Sequence, residues 1–276
     1  MYIWRRQSKP RAVRIAFQRP VSVTQRVVLG TAAWLIFLGA WQYAATADLA
    51  PQRLFPPPTQ VLSALENLFR EQAFHADVLA SLRRVAISFA LAFAFALPLG
   101  LFMGAFPVVA AFFNPLVSPF RYLPAPAFIP LLLMWLGAGD TQKIALLFLG
   151  VVWFLVTLIA DHVRSVRMEL IETALTLGAS TRQVLGGVVF RASLPGLVDI
   201  ARQMLAVSWT YLIIAEIVAA TDGVGAMIMR ARRFVRVDEV MAGIVMIGIL
   251  GLLLDLLFRL LHWKLFPYAR QRSRKP

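Results

Sequence analysis

Six long apolar stretches decide what this chain can become. They fall at about Val27–Ala47, Val85–Phe106, Val109–Leu136, Ile144–Ala160, Leu197–Ala220 and Val240–Leu261. A helix rises about 1.5 Å per residue, so about 20 apolar residues cross the hydrocarbon core of a bilayer. In the bilayer core every backbone polar group must find a partner within the chain, which restricts spanning structure to helices or closed barrels. Runs of this length predict helices, and the expected fold class is all-α: a polytopic membrane helix bundle of about six transmembrane helices. Composition agrees. Hydrophobic residues make up 59% and charged residues 15%, against roughly 45–50% and 25% in soluble domains. The first run ends in Ala45-Thr46-Ala47, a pattern shared with signal peptides. Its 21 residues exceed the roughly 7–15 of a signal core, so it reads as a span.

Charge is concentrated outside these runs. The net charge is +14, and its placement sets orientation rather than pointing to nucleic acid. Arg5, Arg6, Lys9, Arg11, Arg14, Arg19 and Arg26 precede the first run, while Lys264, Arg270, Arg272, Arg274 and Lys275 follow the last. Both ends are therefore expected in the cytoplasm of a bacterial inner membrane, in contact with lipid headgroups. The expected divisions are a basic segment over 1–26, a transmembrane domain over 27–267 and a basic tail over 268–276. Six spans also place Asp161–Ser193 in the cytoplasm. The loop Thr221–Glu239 then faces outward although it carries Arg230, Arg232, Arg233 and Arg236.

Catalysis finds no support. There are no cysteines, and His75, His162 and His262 fit no metal-ligand spacing. No G-x-x-x-x-G-K-[ST] pattern occurs, so the chain is not a nucleotide hydrolase. No catalytic residues, metal ligands or resident cofactor are expected.

Several local features stand out. Phe55-Pro56-Pro57-Pro58-Thr59-Gln60 predicts a stiff extended connector, with Thr59 as cap of a short amphipathic helix carrying Val61, Leu62, Leu65 and Leu68. The third run holds Pro115, Pro119, Pro124, Pro126 and Pro130, each of which removes a helical donor. A broken helix of this kind marks a transport path or a kinked packing helix. Gly100-x-x-x-Gly104 allows helices to approach closely. Charges in or near spans are costly and become candidate pathway groups: Arg121 and Glu216 foremost, with Arg83, Arg84 and Arg202. Trp209, central in the fifth run, is packing or a gate. An excess of positive charge here would favour a small anion.

The stretch Glu169–Pro195 reads ELIETALTLGASTRQVLGGVVFRASLP. A helical pattern runs to Leu177. Gly178 is free to take positive φ and end it. Ala179-Ser180-Thr181 offers caps for a second short helix, which Leu194-Pro195-Gly196 would break. The shape is either a projecting knob or an interfacial hairpin.

Glu172-x-Ala174-x-x-x-Gly178-Ala179, with Leu194-Pro195 downstream, resembles the EAA loop of permease subunits of binding-protein-dependent, ATP-driven (ABC) importers. Thr173 replaces a family alanine, and Val188-Val189-Phe190-Arg191 replaces a common Ile-x-Leu-Pro run. Phe55–Val61, Arg121-Tyr-Leu-Pro-Ala-Pro-Ala-Phe-Ile-Pro130, Leu136-Gly-Ala-Gly-Asp140, Ala215-Glu216, Gly223-Val-Gly225 and Gly248–Asp255 resemble the taurine, sulfonate, nitrate and cyanate branch. The resemblance implies a cytoplasmic coupling-helix loop at about 161–195 in which Glu172, Ala174, Gly178, Ala179, Leu194 and Pro195 meet an ATPase. It also implies two ATP-binding cassette subunits holding ATP and Mg, a second permease copy, an extracytoplasmic substrate-binding protein, and a pathway near Arg121, Pro124, Pro126, Trp209 and Glu216. An ion-coupled secondary transporter is the main rival, and a membrane-embedded enzyme a weaker one.

Overall fold

The computed structural model describes residues 21–47 and 54–267. The basic positions Arg5–Arg19 and Arg270–Lys275 lie outside the described residues. Two compact units divide at about residue 52.

The first unit contains α1 (Val23–Thr46), which begins a turn earlier than the apolar run. Ser22 explains the shift. Its hydroxyl accepts from the Gln25 amide while the Gln25 side chain accepts from the Ser22 amide, a reciprocal cap of two otherwise free donors.

The second unit is helical throughout. Its elements are α2 (Pro58–Glu71), α3 (Phe74–Ala105), α4 (Pro107–Tyr122), a 3-10 turn (Ala125–Phe128) and α5 (Ile129–Leu136). They continue with α6 (Asp140–Arg164), α7 (Met168–Thr176), α8 (Thr181–Gln183), a π-helical segment (Val184–Val189), α9 (Phe190–Ala219), α10 (Val224–Arg233) and α11 (Val237–Leu265). Among the described residues of the two units, five helices, α1 included, are long and apolar enough to cross a membrane. A sixth crossing arises if α4 and the segment Ala125–Leu136, bent by 87°, form one broken span. This is the expected helix bundle.

Helix α6 is the centre. Leu146, Leu147, Val151, Val152, Leu155, Val156 and Ile159 along it are buried. It packs chiefly on α3 and α9. Gly100 and Gly104 make the α3 contact possible. A Cβ on Gly100 would lie 2.8 Å from Ile159, and one on Gly104 would lie 2.6 Å from the Ala160 carbonyl oxygen. The G-x-x-x-G stripe therefore packs within the subunit. Gly150 accepts the Tyr211 ring of α9 in the same way.

Three local expectations are corrected. Thr59 is not the cap of α2: Pro57 occupies the cap and Pro58 the first turn, where the missing amide costs nothing. The buried face of α2 is Val61, Ala64 and Leu68, while Leu62 is exposed. Helix α3 starts at Phe74 rather than Val85, because Asp77 and Arg84 are neutralised by partners instead of ending the helix. Finally, Leu194-Pro195-Gly196 breaks nothing. Pro195 lies inside α9, where neighbouring helices make an interior proline tolerable. The second short helix of the loop is one turn, α8, which runs through the π segment directly into the span.

Candidate functional site

The loop between α6 and α9 has the predicted hinge. Helix α7 ends at Thr176, and Gly178 takes φ +84°. The turn is closed by the Gly178 amide on the Leu175 carbonyl at 2.9 Å and the Ala179 amide on the Ala174 carbonyl at 3.0 Å. Ser180 then caps α8, accepting from the Gln183 amide. No residue of α7 is buried. Met168, Leu170, Leu175 and Leu177 are exposed on it or just beyond it, the last by 83%. Glu172 is exposed, and Ala174 and Ala179 are half-buried. Arg167 bonds to Glu169 at 3.2 Å and holds its carboxyl below the usual carboxylate range. Leu194 and Pro195 are half-buried on α9 and do not belong to this exposed surface. Inward of α7, a cavity of about 790 Å³ opens among Ala110, Asn114, Val163, Ile171, Leu175 and Val184.

The broken span carries the second group of predicted residues. Pro124 caps the 3-10 turn and Pro126 lies in its first residues. Arg121 closes α4, and its guanidinium lies 5.6 Å from the centroid of the Tyr122 ring. Its Nε is buried and has no hydrogen-bond partner among the described residues. Stacking of Phe120 on Trp153 of α6, with centroids 4.8 Å apart, fixes this end of α4. Gly137, at φ +71°, ends α5. Lys143 then holds the turn by donating to the carbonyls of Ala138 and Gly139 at 3.2 and 3.3 Å.

Glu216 belongs to a different place. It is 1% exposed near the end of α9 and accepts from Ser81 Oγ at 2.8 Å, Arg84 Nη1 at 2.7 Å and the Gly225 amide at 2.8 Å. Arg84 also reaches Asp140 on α6 at 2.6 Å, and Asp222. Asp77 accepts from the Gly223 amide at 2.7 Å and pairs with Arg230. Arg83 pairs with Asp140 at 2.6 Å. One arginine of α3 thus ties together α6, α9 and the turn into α10. Three arginines meet four carboxylates here, so buried charge is paired as its desolvation cost requires.

This arrangement corrects one expectation. Arg83, Arg84 and Arg202 do not supply free positive charge: Arg83 and Arg84 are paired in this cluster, and Arg202 meets Asp255 at 3.2 Å and Asp199 at 3.7 Å. Trp209 is 4% exposed in α9 and packs there, its indole N–H without a partner among the described residues. Sequence reasoning missed Asp77, Ser81 and the pairing role of Arg84, Asp140 and Asp222. The available signal was the cost of an unpaired charge in a helix: an arginine inside a span demands a carboxylate somewhere.

A polytopic helix bundle, a proline-broken span and an exposed, glycine-hinged loop between two spans together define a membrane subunit with an exposed short helix, α7, between two of its spans. Residues 96–267 match the family described as binding-protein-dependent transport system inner membrane component. The chain belongs to that family and is the transmembrane permease subunit of an ABC importer, a transporter rather than an enzyme, in the inner membrane. It is similar to the taurine transport system permease protein TauC of Escherichia coli (strain K12), with 35% identity covering 92% of this chain and 94% of that protein. It is also similar to the putative aliphatic sulfonates transport permease protein SsuC of Bacillus subtilis (strain 168), with 28% identity covering 84% of each. The fold resembles the methionine ABC transporter MetNI in an inward-facing conformation, at TM-score 0.61 and 21% identity, covering 69% of this chain and 95% of that one.

Proposed function

We propose that this permease conducts a small sulfonate-type anion such as taurine, and that α7 is the face on which an ATP-binding cassette subunit docks. The observation that carries the docking assignment is a helix with no buried residue, set off by the positive-φ hinge at Gly178 and presenting Met168, Leu170, Glu172 and Leu175. A helix that buries nothing of its own needs a partner to cover its apolar side chains. The assembly consists of two permease copies and two ATPases, with ATP and Mg held entirely in the ATPases. The α7 face lies in the cytoplasm, as do residues 1–26 and 268–276, and a substrate-binding protein delivers cargo at the opposite end. The transmembrane domain is 27–267.

The substrate class rests on relatives that transport taurine and aliphatic sulfonates and on Arg121. It is the one candidate arginine whose charge meets no carboxylate among the described residues. Guanidinium geometry matches the oxygens of a sulfonate. Pro124 and Pro126 hold the backbone next to it irregular, as suits a cavity wall.

The test is reconstitution of the permease with its ATPase and binding protein, followed by uptake of labelled taurine, nitrate and a cationic amine. Taurine uptake should dominate. Arg121→Ala should reduce it about tenfold or more while the ATPase still co-purifies. Dominant uptake of the cation, or full taurine transport by Arg121→Ala, would remove the assignment. In a second variant, Gly178→Val places a β-branched residue at φ +84°. Transport-coupled ATP hydrolysis should be lost although the protein inserts.

A further inference from the structure

A groove of about 430 Å³ opens where α3, α9 and α11 meet, and every residue that lines it is apolar. Phe93 and Leu97 of α3, Phe190 and Leu194 of α9, and Phe258 of α11 form its walls. Ala94 and Ala201 leave the space between them, since neither reaches beyond a methyl group. Phe89 and Phe93 stack with centroids 6.1 Å apart, which stiffens the α3 side. From Phe190 to Ala201 the groove follows α9 for about 16 Å, close to half of the roughly 30 Å of a bilayer core. Arg191 stands at the Phe190 end. It is exposed and has no carboxylate partner among the described residues. It precedes the lining residue Val198 by two helical turns, on nearly the same stripe of α9. The acids on α9 and α11 are already engaged. Asp199 meets Arg202 at 3.7 Å and His262 at 3.8 Å, and Asp255 meets Arg202 at 3.2 Å and Arg259 at 2.6 Å.

We propose that this groove holds one acyl chain of an anionic phospholipid of the inner leaflet, whose phosphate meets the Arg191 guanidinium. The assignment of leaflet rests on the reading that α7, and with it the start of α9, faces the cytoplasm. The sulfonate cargo is a poorer occupant, because an all-apolar wall leaves its charge without a partner. Another helix is too large. About 10–12 Å across, it would need roughly 1,200 Å³ over the same length. A hydrocarbon chain needs only apolar walls and about one leaflet of depth, and the groove supplies both. Topology alone places basic residues on the cytoplasmic side, but Arg191 stands at the mouth of a cleft between spans, which is the arrangement that retains an anionic headgroup. A guanidinium also matches phosphate oxygens in a forked, charge-assisted pair. A zwitterionic lipid carries its own ammonium beside the phosphate and gains less from the same arginine.

The experiment uses the permease with its ATPase in nanodiscs of phosphatidylethanolamine, doped with phosphatidylglycerol that carries a photoreactive diazirine in one acyl chain. After irradiation, peptide mass spectrometry should find adducts around Leu194 and Phe258. Unlabelled phosphatidylglycerol should compete about fivefold better than phosphatidylethanolamine, and Arg191→Gln should remove that preference. Ala94→Phe fills the groove from its exposed side. It should abolish the adducts around Leu194 and Phe258, while labelling of Leu252 and Leu256, exposed on α11, persists. Equal competition by the two lipids overturns the proposal, and so do groove adducts that survive in Ala94→Phe. A groove that stays unlabelled in wild type is covered by protein, which overturns it as well. Competition in the wild-type protein decides the question alone if a variant fails to fold. Co-purification of the ATPase is scored in every sample. A wild-type permease without ATPase counts against the α7 reading, and its adducts are read all the same, whereas lost adducts in an intact complex count against this site alone.

Discussion

Glu216 shows how a single side chain can look like a transport residue and be placed as a structural one. An acid in a span is expensive and reads as functional. Here its oxygens are taken by Ser81, Arg84 and the Gly225 amide. The two glycines downstream are explained by the same carboxylate. A Cβ on Gly223 would collide with it, and Gly223 takes φ +104°. The Ala215-Glu216 and Gly223-Val-Gly225 motifs were visible in sequence, but their cause was not. The cause is a pairing between residues 132 positions apart, and no local pattern reports which distant arginine answers an acid. Removing one partner of a buried pair leaves the other uncompensated, at a cost of about 3–5 kcal/mol. Glu216→Ala should therefore lower the midpoint of thermal unfolding strongly, and Glu216→Gln should lower it less because Ser81 and Gly225 keep acceptors. Circular dichroism of the purified permease checks the order. If Glu216→Ala melts like wild type, Arg84 is satisfied by Asp140 and Asp222 alone.

At the scale of elements, the long apolar helices were legible because hydropathy is local, whereas their ends and joints were not. Apolar-run reading stops at the first charge, so α3 lost its opening turns up to Arg84. The π segment at Val184–Val189 and the continuity of α9 through Pro195 escaped for a related reason. A proline forbids one hydrogen bond, but the packing of α9 on α6 decides whether the helix survives it. His162 shows that packing directly: its Nε2 lies 3.1 Å from the Ser193 carbonyl oxygen, and its ring fills the space that a Cβ on Gly196 would need. A close helix contact was foreseen at Gly100 and Gly104, since small residues four apart present one flat face, but that α6 supplies the other side was not. Gly104→Val should overpack it, with an expected loss of about 1–3 kcal/mol. Gly248→Ala, where nothing lies within 4 Å of the added carbon, should be close to neutral. Denaturation midpoints of the two variants in the same detergent compare them. Equal midpoints would show that α3 shifts away from α6 without loss.

At the scale of the whole molecule, the subunit has two dissimilar ends, and one measurement decides which faces which compartment. The end carrying α7 is exposed, apolar and hinged. The opposite end is bound together by the Arg84 cluster and capped by the α10–α11 corner. A family of inner membrane components that depend on binding proteins needs both kinds of surface, one for a partner that burns nucleotide and one for a partner that brings cargo. The chain has no cysteine, so a thiol can be introduced at either end without removing another. Leu177 is 83% exposed beyond α7, and Phe234 is 75% exposed at the opposite corner. In intact spheroplasts, a membrane-impermeant maleimide should label Phe234→Cys at once and leave Leu177→Cys unlabelled. After permeabilisation both should react. Neither substitution disturbs packing, because both side chains already stand in the open. Labelling in the reverse order would place α7 outside, and would remove at one stroke the ATPase role of α7.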